Sequence, residues 1–287
     1  MDVTEIQTAA LLGVHGIGQH HLGRHQLLAT WRPALSDGLE RAAQRRLSIS
    51  QFDMAFYGDV YLTAEPGTAE KSADDEAVLD GADEAELAEL RDAMADVVSD
   101  EDVAAAENEV SKAYTRVPRP LQVLLRAIDR RFGAAAGVLY LGVLRQVRRY
   151  LVKADVKERI DARVRESVSD ECQMLVAHSL GSVVAYEYLR QNTEHRVKTL
   201  LTVGSPLGLR MVRSRLSVAP LAVPVWSNIR DRRDPVACAG DLRSWWPQIK
   251  EDLPVDNGGN SHSVERYLSR KATGEVVLRA LPFMAAG

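Results

Sequence analysis

Short apolar runs alternating with amphipathic stretches set the pattern of the chain. Residues 8–15 (TAALLGVH) form one such run, closed by Gly16, and predict a buried strand that enters a loop. In residues 23–46, Leu27, Leu28, Trp31, Leu35, Leu39 and Ala42 recur at helical spacing. Pro33 weakens the middle of that helix or marks a first turn. Residues 49–61 alternate loosely and predict a second strand. After residue 164 the alternation is regular: strand over 172–177, helix over 180–190, strands over 197–203 and 223–229, and a helix starting near Val264. Strands separated by helices predict an α/β fold, with a doubly wound, mostly parallel sheet covered on both faces. Residues 64–150 break the pattern and are expected to form a helical insertion, cap-like, between core segments 1–63 and 151–287. There is no internal repeat of fixed period.

Charge sharpens the picture of the insertion. Residues 65–109 hold 17 acidic and 2 basic side chains, a net of -15, whereas residues 112–165 hold 14 basic and 4 acidic, a net of +10. The two segments can neutralise each other within one fold. Residues 133–144 (GAAAGVLYLGVL) carry no charge and are flanked by Arg130, Arg131, Arg145, Arg148 and Arg149. Such a run suits a cap over an active site, a membrane-surface or lipid contact through residues 119–150, or a subunit contact. The whole chain has a net charge of -4, which argues against nucleic acid as a partner. Its 46% apolar content is enough for a sizeable core. Cys172 and Cys238 make neither a disulfide framework nor a CxxC metal pair. The first ten residues carry Asp2 and Glu5 where a signal peptide would be basic, and no apolar run is long enough to span a bilayer. A soluble, cytoplasmic protein is the expectation.

The strongest chemical signal is Ala177-His178-Ser179-Leu180-Gly181, where an apolar strand passes directly into an apolar-faced helix. A nucleophilic serine on such a sharp turn needs small residues two places before and after it. Ala177 stands where the strict pattern has glycine, a difference of one methyl group. The bland alternative is a serine N-cap. Residues 14–19 (VHGIGQ) place a glycine-rich turn after the first strand. The N–H groups of Ile17 and Leu180 are the expected donors to an oxyanion. A tight turn or a phosphate loop are the alternatives, the latter without the lysine it needs. A serine hydroxyl requires a base and the base a carboxylate. His262, in a Gly- and Asn-rich loop, is the expected base, and His195 lies in a surface loop. Asp234, stiffened by Pro235, is the favoured acid over Asp231, with Asp241 and Asp256 as outsiders.

The HGIG turn, the AHSLG elbow and the later Gly204-Ser205-Pro206-Leu207 loop resemble the α/β-hydrolase superfamily, bacterial esterases and lipases in particular. The resemblance covers residues 8–61 and 164–270 and leaves out the insertion. It implies a cofactor-free Ser-His-Asp hydrolase acting on a small-molecule acyl substrate, a carboxylic ester or thioester whose acyl group the apolar insertion would suit. Peptidase, amidase and acyltransferase chemistry use the same constellation, and a non-catalytic binding module on the same fold is the remaining alternative. His15, Gly16, Gly18, His178 and Leu207 would line the substrate site, although His178 is better suited to packing and hydrogen bonding beside the serine. Trp245 and Trp246 suit an acyl pocket or the core. His20, His21 and His25 lack the further ligands zinc would want, so no metal is expected.

Overall fold

The computed structural model describes residues 10–47, 49, 51–62, 79, 81–107, 114 and 117–285. Six strands make one sheet in the order β2-β1-β3-β4-β5-β6, and every pairing is parallel. They are β1 (Leu11–Val14), β2 (Phe52–Ala55), β3 (Met174–His178), β4 (Thr199–Val203), β5 (Val225–Asp231) and β6 (Glu251–Val255). The apolar runs LLGV, MLVAH and TLLTV occupy the centre of the sheet, and every residue in them is buried. Parallel strands need this composition because crossover helices cover both faces.

Alternate residues feed two separate cores. Leu11, Met174, Val176, Leu201 and Ile229 pack with α1 (Arg24–Ala43), α9 (Val264–Leu268) and α10 (Lys271–Ala280). Leu12, Val14, Leu175, Ala177, Leu200 and Trp226 face the other way. There they meet α6 (Ala154–Ser167), α7 (Leu180–Gln191), α8 (Arg210–Arg213) and the insertion. The insertion comprises α2 (Glu84–Ala95), α3 (Asp100–Glu107), α4 (Arg119–Phe132) and α5 (Ala136–Val152). Its apolar side chains, among them Leu121, Leu124, Leu125, Ile128, Tyr140 and Leu144, belong to the same core as the sheet. Half of the uncharged run is buried, including Tyr140, Leu141, Val143 and Leu144, while residues 133–135 and Leu139 are exposed. Acidic α2 meets basic α5 through Arg145–Glu86 at 2.7 Å and Arg148–Glu89 at 2.5 Å. No helix among the described residues is long and apolar enough to cross a membrane.

The helix expected over residues 23–46 forms as Arg24–Ala43, with Pro33 in its middle and not in its first turn. Pro33 and Ala29, whose carbonyl the missing N–H cannot reach, both lie on the exposed face. Two sequence expectations need correction. The second strand is only Phe52–Ala55, and its second half becomes a 3-10 turn at Gly58–Tyr61. β6 was not expected at all. It is an edge strand, which tolerates Pro254 because one side of its ladder is empty.

Candidate active site

The chain order reverses at β1, whose neighbours are β2 on one side and β3 on the other. In such sheets the loops at the strands' carboxyl ends diverge at the reversal and leave room for a ligand. The VHGIGQ turn leaves β1 and the AHSLG turn leaves β3 at this point. The loop holding Asp234 follows β5, and the loop holding His262 follows β6.

Ser179 links β3 directly to α7 with φ 53° and ψ -128°, a strained conformation for a residue with a side chain. Its neighbours must be small. A Cβ on Gly181 would overlap the Val14 carbonyl, and one on Gly16 would lie 2.8 Å from the Ser179 Cβ. Ala177 is accommodated in the sheet between Val14 and Thr202. Leu180 is the first residue of α7, so its N–H has no intrahelical acceptor. Ser179 itself has 0% exposure.

The three side chains form one chain of hydrogen bonds. The Ser179 Oγ lies 3.0 Å from His262 Nε2, and His262 Nδ1 lies 2.8 Å from Asp234 Oδ2. With Nδ1–H donating to the carboxylate, Nε2 is free to accept the serine proton. Asp234 also accepts from the Val236 amide at 2.9 Å and from the Tyr267 hydroxyl at 2.8 Å. The competing acids are occupied elsewhere. Asp231 accepts from the Arg233 and Asn257 amides, Asp241 caps a short turn through the Arg243 amide, and Asp256 pairs with Arg233. His195 lies at the opposite, amino end of the strands, just before β4, in a groove of about 480 Å³ shared with Gln173 and Lys198.

Two more histidines surround the serine, and burial keeps both neutral. His178 is held well below its ordinary pKa by burial, and next by the neighbouring His262. Its Nε2–H donates to the His262 carbonyl at 3.0 Å, so it fixes the loop that carries that residue. Burial takes His15 down to about 4. His15 Nε2 accepts from the Tyr57 amide at 3.1 Å, which leaves Nδ1–H to donate to the Gly16 carbonyl at 2.7 Å. Both are packed side chains, as is Leu207, which is wholly buried and whose carbonyl accepts from Trp246 Nε1. All three are buried, as Ser179 is. Trp246 is likewise buried, whereas Trp245 is half-buried and carries the Arg213 guanidinium 4.4 Å above its ring. Gly18 is exposed and Ile17 half-buried. Ser205 Oγ lies 2.7 Å from Ser182 Oγ and accepts from the Leu207 amide.

The His20 and His21 rings sit 4.1 Å apart. Among the described residues, no group of three or more His, Cys, Asp or Glu side chains could hold a metal. Sequence reasoning missed Tyr267, which ties the end of β5 to the loop that follows it by accepting from the Asp231 amide at 2.9 Å while donating to Asp234. It also missed Gln19 and Gln146, which hold the VHGIGQ turn. No local pattern marks these residues. Compared with known proteins, the chain matches no protein-family model and has no significant match among curated proteins or among solved structures.

Proposed function

We propose that this chain is a serine hydrolase of the α/β-hydrolase kind, cleaving a carboxylic ester or thioester. The observation that carries the reading is the continuous relay from Ser179 through His262 to Asp234. It is reinforced by the strained elbow at Ser179 and by the order in which the loops leave β1, β3, β5 and β6. Ser179 Oγ attacks the acyl carbonyl and passes its proton to His262 Nε2. Asp234 holds the imidazole in the receptive tautomer and stabilises the imidazolium that forms. The N–H groups of Ile17 and Leu180 receive the oxyanion. His262 returns the proton to the leaving alcohol or thiol, giving the acyl-enzyme. A water, deprotonated by His262, then releases the acid. Because Ser179 is fully covered, substrate reaches it only after the covering segments part.

A fluorophosphonate probe tests this directly. The wild-type chain is expected to be labelled at Ser179, and Ser179→Ala should abolish labelling and lower ester kcat by roughly 10⁴-fold or more. Label on another residue, or undiminished hydrolysis by a clean Ser179→Ala preparation, would remove the assignment.

A further inference from the structure

The insertion touches the VHGIGQ turn at one face of α5. Gly142, Gln146 and Arg149 share that face, at i, i+4 and i+7 spacing. A Cβ on Gly142 would meet Ile17 Cδ1 at 3.7 Å, so the helix already lies against Ile17. Gln146 Oε1 accepts from the Gly18 amide at 3.4 Å, and the Gln146 carbonyl accepts from the Tyr61 hydroxyl at 3.4 Å. The Arg149 guanidinium lies 5.7 Å above the Tyr61 ring.

These contacts matter because a trans peptide is planar, with its C=O and N–H pointing in opposite directions. The Gly16 carbonyl is held by His15 Nδ1–H, which turns the Ile17 N–H away from His15. The next peptide is held at both ends. Gln19 Nε2–H donates to the Ile17 carbonyl at 2.8 Å, and Gln146 accepts from the Gly18 amide. Ile17 is thus clamped between two fixed peptide planes, one of them pinned by the insertion.

We propose that Gln146 is a positioning residue of the site: from α5 it fixes the peptide that follows Ile17, and so the aim of the Ile17 N–H at the oxyanion. This rests on the serine hydrolase reading above. It makes the insertion part of the machinery that stabilises the transition state. An oxyanion exists only once the carbonyl has been attacked, so loss of the clamp acts on kcat and leaves ground-state binding alone.

The test uses the full chain with a 4-nitrophenyl butyrate substrate and butylboronic acid, whose tetrahedral serine adduct places an oxygen where the oxyanion forms. Gln146→Met keeps the shape of the side chain and removes the acceptor. Gln146→Asn keeps the polarity but falls short of Gly18. For both, kcat is expected to fall about tenfold, less than the loss of a whole oxyanion donor. KM should stay within about twofold, the boronate inhibition constant should rise in step with the fall in kcat, and the melting temperature should not move. An active wild type with unchanged kcat and boronate affinity in both variants overturns the inference and leaves the hydrolase reading standing. So does a loss confined to KM and melting temperature, or failure of both variants to fold, since Gln146 would then serve the structure alone. A wild type that neither hydrolyses the ester nor labels at Ser179 defeats the hydrolase reading first, and the inference with it.

Discussion

Tyr267 shows how much a single buried hydroxyl can organise. It donates to Asp234 Oδ2 and accepts from the Asp231 amide, so one oxygen ties the end of β5 to the acid that meets His262. Burial, and next the adjacent Asp234, hold its pKa well above the usual phenol value, so it stays a donor throughout the physiological range. Tyr267→Phe leaves a buried N–H without an acceptor and the carboxylate without one donor. Stability should fall by about 1–3 kcal/mol. Ester kcat/KM should fall by about tenfold, since the acid loses part of its fixed orientation. Melting curves and steady-state kinetics check the two effects separately. Ser179, Asp234 and His262 could be picked out in the sequence because each sits in a locally recognisable setting: strand-to-helix turn, Asp-Pro loop, glycine-rich loop before a helix. Tyr267 and Gln146 could not, since they reach the site only through tertiary contacts. Proximity to the serine marks His15, His178 and Leu207 in the sequence, but which way their side chains point is set by tertiary contacts: His178 donates to the His262 carbonyl and His15 to the Gly16 carbonyl.

At the scale of elements, periodicity located the buried parts well and the edges poorly. β1, β3 and β4 are continuous apolar runs, and α4 presents Leu121, Leu124, Leu125 and Ile128 on one buried stripe, so pattern and packing agree. β6 has the sequence EDLPV and is largely half-exposed, so nothing in its composition distinguishes it from a loop. In α1 the proline is a removable defect. Pro33→Ala restores an N–H one turn beyond the Ala29 carbonyl, on a face where the added hydrogen bond meets no obstacle. A helix-interior proline costs roughly 3 kcal/mol, offset in part by the freedom its removal returns to the unfolded chain. The net expectation is a gain of about 2 kcal/mol. A denaturant midpoint that falls in Pro33→Ala would show that α1 is bent to fit the sheet at that point and depends on the proline.

For the molecule as a whole, two buried neutral histidines make acid the vulnerable side. His15 titrates near 4 in the folded protein against an ordinary 6.5, and His178 is displaced in the same direction. Below pH 6.5 the unfolded chain takes up protons that the folded chain refuses, so stability is fully present above that value and drains away as pH falls toward 4. His15 alone accounts for about 3 kcal/mol over that interval, and His178 adds to it. Denaturant midpoints measured from pH 7 down to 4.5 should decline steadily; a flat series would mean that neither imidazole is kept neutral. The opposed charges of the insertion, conspicuous in the sequence, resolve into specific pairs: Glu89 joins Arg148 of α5 and also Arg215 beyond α8, while Asp96 pairs with Arg210 of α8. The insertion is bound to the body of the protein by both charge and the shared core.

The pairing of β1 with β3 has a further consequence, which concerns time. Leu11 lies beside Met174 and Val14 beside Ala177, so the middle of the sheet closes a loop of roughly 160 residues. Synthesis at about 5–20 residues per second separates the two strands by roughly ten to thirty seconds. In that interval β1 can pair with β2 across α1, but its other edge stays open and apolar. A newly made chain therefore spends its early life with an adhesive strand edge, and holding it apart from its neighbours is a task for chaperones before it is a task for the fold. The elbow, which needs β3, is assembled only as that edge is sealed, whereas α5, which carries the clamp on the VHGIGQ turn, has been made before β3.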